Sequence, residues 1–164
     1  MDIAKKPRCY VGIDKVGTKY YYVNKVLHRE EGPAVEYADG SKCWYKNGLR
    51  SREDGPAIEY PDGDKHWYKN GKCHREEGPA IETFDGDKLW YKNGELHREG
   101  GPAVNYANGT KEWWQNGNLH REDGPAIEYI NGTKVWYLND IQHGIHNDFT
   151  NKSWKKFVKT LIFS

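Results

Sequence analysis

The chain has 164 residues with 25 Lys and Arg against 24 Asp and Glu, a net charge of +1 that gives no bulk electrostatic reason to expect a polyanion partner. Its hydrophobic fraction is 36%, below the about 45 to 50% of an ordinary globule on a broader apolar count, while seven Trp, twelve Tyr and 18 Gly stand beside a single Met. That mixture favours strands joined by tight turns over helices. Cys9, Cys43 and Cys73 form an odd set without Cys-x-x-Cys spacing and fall at different places in the pattern below, which argues against a disulfide ladder or a zinc site and for a reducing cytoplasm.

In chain order, residues 1–9 form an N-terminal segment with basic residues but no apolar run of signal-peptide length, and nothing later in the chain approaches a membrane span. From about residue 10 to residue 147 one unit recurs. Gly32-Pro33, Gly55-Pro56, Gly78-Pro79, Gly101-Pro102 and Gly124-Pro125 stand 23 residues apart each time. In the same register lie Trp44-Tyr45, Trp67-Tyr68, Trp90-Tyr91, Trp113-Trp114 and Trp136-Tyr137, with Tyr21-Tyr22 as a degenerate first copy. Asn-Gly pairs begin at Asn47, Asn70, Asn93 and Asn116, and a second series of Asp-Gly or Asn-Gly pairs begins at Asp39, Asp62, Asp85, Asn108 and Asn131.

Each unit reads Lys-x-Trp-Tyr-x-Asn-Gly-x-x-His-Arg-Glu-Asp-Gly-Pro-Ala-Ile-Glu-Tyr-x-Asp-Gly, with about six copies of which the first and last are degenerate. Asn or Asp before Gly supplies the positive φ angles of a type I′ hairpin turn, so the array predicts an all-β, elongated antiparallel meander of about eleven or twelve strands whose neighbours share a core. A two-residue turn at Asn70-Gly71 sets Tyr68 opposite Cys73 and Trp67 opposite His74. A two-residue turn at Asp62-Gly63 sets Ile58 opposite Trp67, which places Trp, Ile and Tyr on one buried face; a three-residue turn there shifts the register by one and breaks those pairings. In the two-residue register Lys42, Lys65, Lys88, Lys111 and Lys134 face Glu53, Glu76, Glu99 and Glu122.

The sixth copy decays from Asn139-Asp140 and has Asn147-Asp148 where Gly-Pro is due. Over 148–164 the pattern changes, and Trp154, Phe157, Val158, Leu161 and Ile162 recur at helical spacing, predicting a short amphipathic helix begun near Asn151 or Ser153 that caps the last hairpin.

The unit resembles variant MORN-type repeats, in particular the Trp-Tyr-x-Asn-Gly-x-x-His-Arg-Glu-Asp-Gly-Pro-Ala arrays of proteins from bacteriophages and large DNA viruses. It departs from the Tyr-x-Gly-x-Trp form of the MORN unit, to which lipid-binding and membrane-scaffold roles belong. The resemblance implies a twisted antiparallel ribbon used for protein contacts and a viral origin, and it carries no catalytic residues across.

Every His, Glu and Asp of interest recurs as one of several equivalent copies, whereas an active site needs one asymmetric constellation; no phosphate loop, nucleophile elbow, kinase or zinc-protease signature is present. The expectation is a non-enzymatic binding protein without a cofactor. His28, His74, His97 and His120 each precede a Glu by two residues, a spacing that offers a metal only two ligands per unit; the weightier reading is structural, with His hydrogen-bonded to the turn before Gly-Pro. The expected partner is a protein, in the sharpest form a host defence or regulatory protein blocked by a viral inhibitor. The preferred contact is the C-terminal segment with Trp154, Lys155, Lys156 and Lys159, an aromatic beside local positive charge. The alternative is a sponge for small nucleotides, stacking bases on Trp or Tyr and holding phosphate with Arg52, Arg75, Arg98 or Arg121. Nucleic-acid strands rank third because interleaved Glu residues deny a positive groove.

Overall fold

Every Asn-Gly pair of the first turn series adopts the geometry its composition demands. Asn47, Asn70, Asn93 and Asn116 have φ between 50° and 55°, and the glycines that follow have φ between 79° and 94°, as a type I′ turn requires at both central positions. The structure, a computed structural model, describes residues 7–146 and 148–162. Residues 1–6 of the predicted N-terminal segment, Asn147, the side chain of Ile162 and residues 163–164 lie outside the described residues.

The described residues form an antiparallel meander with one C-terminal helix, Asn151–Ile162. Fourteen strands join in one sheet, and four further two-stranded hairpins stand beside it. This exceeds the expected eleven or twelve strands because the long predicted strand is divided at Trp44, Trp67, Trp90 and Trp113. Lys42–Cys43 pairs with Val35–Glu36 of its own unit and Ile58–Glu59 of the next, whereas Tyr45–Lys46 folds back on Leu49–Arg50. Trp44, between them, donates its N–H to the Ala57 carbonyl at 2.8 Å and accepts from the Ser51 N–H at 3.2 Å. The chain thus changes partner at the Trp, and the same pair of bonds recurs at Trp67, Trp90 and Trp113.

The Asn-Gly hairpins have the expected register, with Tyr68 opposite Cys73 and Lys69 opposite Lys72. The Asp-Gly turns do not. The Tyr60 N–H donates to the Asp64 carbonyl and the Gly63 N–H to the Tyr60 carbonyl, enclosing three loop residues, Pro61, Asp62 and Gly63. Pro61 supplies the φ suited to the first central position of a type I turn, Gly63 takes φ 106°, and Asp62 Oδ1 accepts the Asp64 N–H at 3.1 Å. The three-residue loop shifts the register by one, so that Ile58 faces His66 rather than Trp67 and Glu59 faces Lys65.

That shift relocates the core. Ala34, Ala57, Ala80, Ala103 and Ala126 are buried, as are Val35, Ile58, Val104 and Ile127. Val35, Cys43 and Ile58 form a cluster joined by Tyr20, Leu27, Tyr45 and Tyr68, to which each fully buried aliphatic side chain contributes about 1.5 to 3 kcal/mol before entropy. Trp67 and Trp90 are only half-buried, like Tyr68 and Tyr91 after them, and Tyr60 is exposed. The joint burial of Trp, Ile and Tyr on one face is therefore overturned by the turn geometry.

At the C-terminal end the strand Lys134–Leu138 pairs with Ile141–Ile145 through a bulge at Trp136/Tyr137. Thr150, one residue before the expected caps, starts the helix: the Ser153 N–H donates to Thr150 Oγ1 at 3.1 Å and the Thr150 N–H donates to Ser153 Oγ at 2.9 Å, a reciprocal cap. Trp154 and Val158 bury against Trp136, with Phe149, Phe157 and Leu138 around them, so the helix covers the last hairpin. No helix among the described residues is long and apolar enough to cross a membrane.

Candidate contact surface

The recurring Arg is the centre of each unit. The Arg52 guanidinium lies over the Trp44 ring with its central carbon 4.1 Å from the ring centroid, and Arg75, Arg98 and Arg121 lie 4.0, 3.9 and 3.9 Å over Trp67, Trp90 and Trp113. Arg29 sits over Tyr21 in the degenerate first copy at 3.8 Å. Each Arg Nη1 then donates to the carbonyl of the Pro four residues on, at 3.0 to 3.2 Å. A Cβ added to Gly55 or Gly124 would stand 3.0 or 2.9 Å from the central guanidinium carbon of Arg52 or Arg121. The Gly-Pro pair therefore leaves room for the Arg and presents it an acceptor, while cation–π stacking holds it from the Trp side.

Beyond the Pro carbonyl stands a carboxylate. Arg29, Arg52, Arg75 and Arg121 donate from Nη1 to Glu36, Glu59, Glu82 and Glu128 at 2.7, 2.7, 2.9 and 3.1 Å. In two units a second acid joins, Asp54 on Arg52 Nε at 2.9 Å and Asp123 on Arg121 Nε at 2.7 Å. The hydrogen bond from Arg29 holds the Glu36 carboxyl below its ordinary range, and those from Arg52 and Arg121 do the same for Asp54 and Asp123. The Glu series was missed as the Arg partner in the sequence, although a Glu seven residues after each of these four Arg was its signal.

The same Glu residues form an alternating ladder across the large sheet. Lys19, Glu36, Lys42, Glu59, Lys65, Glu82 and Lys88 are successive cross-strand partners, as are Lys111, Glu128 and Lys134. The Lys series thus faces these glutamates and not Glu53, Glu76, Glu99 and Glu122. Of those, Glu53 and Glu76 approach Lys46 and Lys69 instead, at 3.8 and 3.2 Å. The ladder is interrupted once, where Asn105 lies between Lys88 and Lys111.

The His series joins units. Nδ1 of His74, His97 and His120 accepts the N–H of Asn93, Asn116 and Asn139, each 19 residues on, at 3.0, 3.2 and 3.3 Å, and His28 does so with Asn47. An acceptor Nδ1 places the proton on Nε2, which faces Glu30 at 2.7 Å and Glu76 at 3.0 Å in the first and third units. The His side chains are hydrogen-bonded to a turn, but it is the turn of the following unit, Asn-Gly for His28, His74 and His97 and Asn139-Asp140 for His120. Ser51 supplies its Oγ to the Asn70 N–H at 3.3 Å where the series lacks a His. No three His, Cys, Asp or Glu side chains converge to hold a metal among the described residues.

Among the named contact residues, Trp154 is fully buried and donates Nε1–H to the Arg121 carbonyl at 2.9 Å, anchoring the helix to the last full clamp. Lys155, Lys156 and Lys159 are exposed. The structure does not bring Arg52, Arg75, Arg98 and Arg121 together at one point; it distributes them one per unit, each over its own Trp.

A second exposed feature follows the Asp-Gly turns. Tyr37, Tyr60, Tyr106 and Tyr129 occupy one repeat position and are exposed, and at the next position Phe84 and Ile130 are 75% and 72% exposed. Residues at this latter position stand beside the turn glycine of the preceding unit: a Cβ added at Gly40, Gly63 or Gly109 would meet Pro61, Phe84 or Ile130 at 3.4, 3.6 and 3.6 Å. The result is an apolar and aromatic ridge along the turn edge. The two-residue register had hidden it by assigning Tyr60 to the core.

Comparison with protein-family models gives no match, and comparison with curated proteins gives none either.

Proposed function

We propose that the chain is a protein-binding repeat ribbon, in its sharpest form an inhibitor that occupies a host defence or regulatory protein. The observation that carries this reading is the ridge of Tyr37, Tyr60, Phe84, Tyr106, Tyr129 and Ile130, because aromatic side chains presented in a row on a rigid sheet are a composition enriched at protein interfaces. The host-inhibitor form rests on the likeness of the repeat to viral arrays. Engagement of the repeated Arg with Trp, Pro carbonyl and, in four units, Glu favours a structural use of these cations over holding nucleotide phosphate. The exposed Lys155, Lys156 and Lys159 of the C-terminal helix give the ribbon a second, charged contact at its end.

The test is capture from lysate with the identified partner then measured in isolation. Phe84→Asp should weaken partner binding about tenfold or more while leaving the unfolding temperature unchanged, since Phe84 is exposed. Lys155→Glu with Lys159→Glu tests the helix in the same way for an acidic partner. If both variants bind as the parent does, or if a nucleotide panel and no protein shifts the unfolding temperature, the reading is wrong.

A further inference from the structure

The interruption of the charge ladder leaves one clamp unfilled. Arg98 keeps its stack on Trp90 at 3.9 Å and its bond to the Pro102 carbonyl at 3.1 Å, but Asn105 stands where the other units place Glu, and Gly100 stands where Asp54 and Asp123 stand. No carboxylate lies within ion-pair distance of Arg98 among the described residues. Asn105 Oδ1 is buried without a hydrogen-bond partner, so the shorter amide does not replace the missing acid.

Lys88 and Lys111 are the cross-strand neighbours of Asn105, so two cations flank a neutral side chain at the position where four other units place the Glu that binds Arg. The nearby acids are turned elsewhere: Glu112 accepts Trp114 Nε1–H at 2.8 Å, Glu99 faces His97 at 3.7 Å, Glu122 faces His120 at 3.6 Å, and Asp123 holds Arg121. Arg98, Gly100, Gly101 and Trp113 border a cleft of about 400 Å³ that Arg121, Glu122 and Asp123 also line, and a Cβ at Gly100 would meet nothing within 4 Å. No acid bonds the Nε edge of Arg98, which Asp54 and Asp123 take in the units of Arg52 and Arg121.

We propose that Arg98 is a docking site for an Asp or Glu carboxylate of a protein partner, with Lys88 and Lys111 adding attraction. The proposal rests on the protein-binding reading above. The ligand class follows from the scaffold: four other copies of the same guanidinium, held by the same Pro carbonyl and aromatic face, take a carboxylate. A stacked guanidinium loses little freedom on binding, and a planar acid matches its fork.

The experiment uses fluorescence anisotropy of a labelled Glu-rich peptide with the full chain at low salt. Asn105→Glu supplies internally the carboxylate that Nη1 takes in four other units and cancels the local positive charge, so it should weaken the peptide about tenfold while raising the unfolding temperature. Asn105→Gln, of equal length but neutral, should bind as the parent does, and Arg98→Gln should lose binding as Asn105→Glu does. The proposal is overturned if the parent does not bind the peptide, if Asn105→Glu binds it unchanged, or if inorganic phosphate competes as well as the peptide's own carboxylates. It is also overturned if binding is lost only on Lys155→Glu with Lys159→Glu. Partner capture that survives Asn105→Glu but fails with Phe84→Asp would sink the docking site and keep the protein-binding reading; the opposite pattern would keep the site and remove the ridge.

Discussion

The units centred on Arg52 and Arg98 share one scaffold and differ in what completes it. Both guanidiniums lie on a Trp ring and donate to a Pro carbonyl, yet Arg52 bonds Asp54 and Glu59 while the corresponding positions after Arg98 are Gly100 and Asn105. The pair separates two jobs that the consensus combines. The Trp, Gly and Pro build the socket, and the acids neutralise its occupant; the socket survives where the acids are gone. Strand pairing carries the fold, because the Ala and Val or Ile residues beneath it stay buried in both units: Ala57 and Ile58 in one, Ala103 and Val104 in the other.

The largest change comes from removing the platform. Trp67→Ala and Trp90→Ala should each destabilise by about 2 to 4 kcal/mol, at or below the cost for a fully buried aromatic because both rings are half-buried. They should differ in what remains ordered. Arg75 still has Glu82 and Pro79 to hold it, whereas Arg98 has only Pro102, so the Arg98 side-chain resonance should sharpen toward that of a free Arg in Trp90→Ala alone. Equal ordering of the two Arg side chains would show that the acids contribute nothing to the clamp.

Acid separates the units more gently. Glu36, Asp54 and Asp123 have carboxyls lowered chiefly by hydrogen bonds from Arg29, Arg52 and Arg121, so their stabilisation is complete above the ordinary carboxyl range and is lost as pH falls from about 4.5 through their lower native values. Burial lowers His66 as well, against a smaller opposing pull from Asp64, so its contribution is complete above about pH 6.5 and declines as pH falls through its native value. Hydrogen exchange on acidification should loosen the clamps at Arg29, Arg52 and Arg121 while leaving that at Arg98 unchanged. Uniform loosening along the ribbon would contradict the assignment.

Much of this architecture was legible in the residues themselves. Asn-Gly dictates one backbone geometry, so the first turn series and the register of Tyr68 with Cys73 followed from it. Asp-Gly does not: the same dipeptide closes a two-residue turn or the last two positions of a three-residue one, and Pro61 before Asp62 was the local cue for the latter. A single residue of register then moved Tyr60 from core to surface and set Lys65 opposite Glu59, while the change of partner at Trp67 gave Lys65 Glu82 in place of Glu76. The helix was readable from the spacing of Trp154 and Val158, but the same apolar anchor that suggested a contact was consumed as the cap. The Arg–Glu bonds were harder, since they join residues whose proximity depends on the bend at Gly-Pro rather than on strand alternation.

The smallest expected effect is also the most direct. A double-mutant cycle on Arg52→Gln and Glu59→Gln, set beside one on Arg98→Gln and Asn105→Ala, measures the clamp's ion pair in its filled and unfilled forms by thermal unfolding. A coupling of about 0.5 to 1.5 kcal/mol is expected for Arg52 with Glu59, reduced from a buried pair by partial exposure, and a coupling near zero for Arg98 with Asn105. Equal couplings in the two units would contradict that expectation.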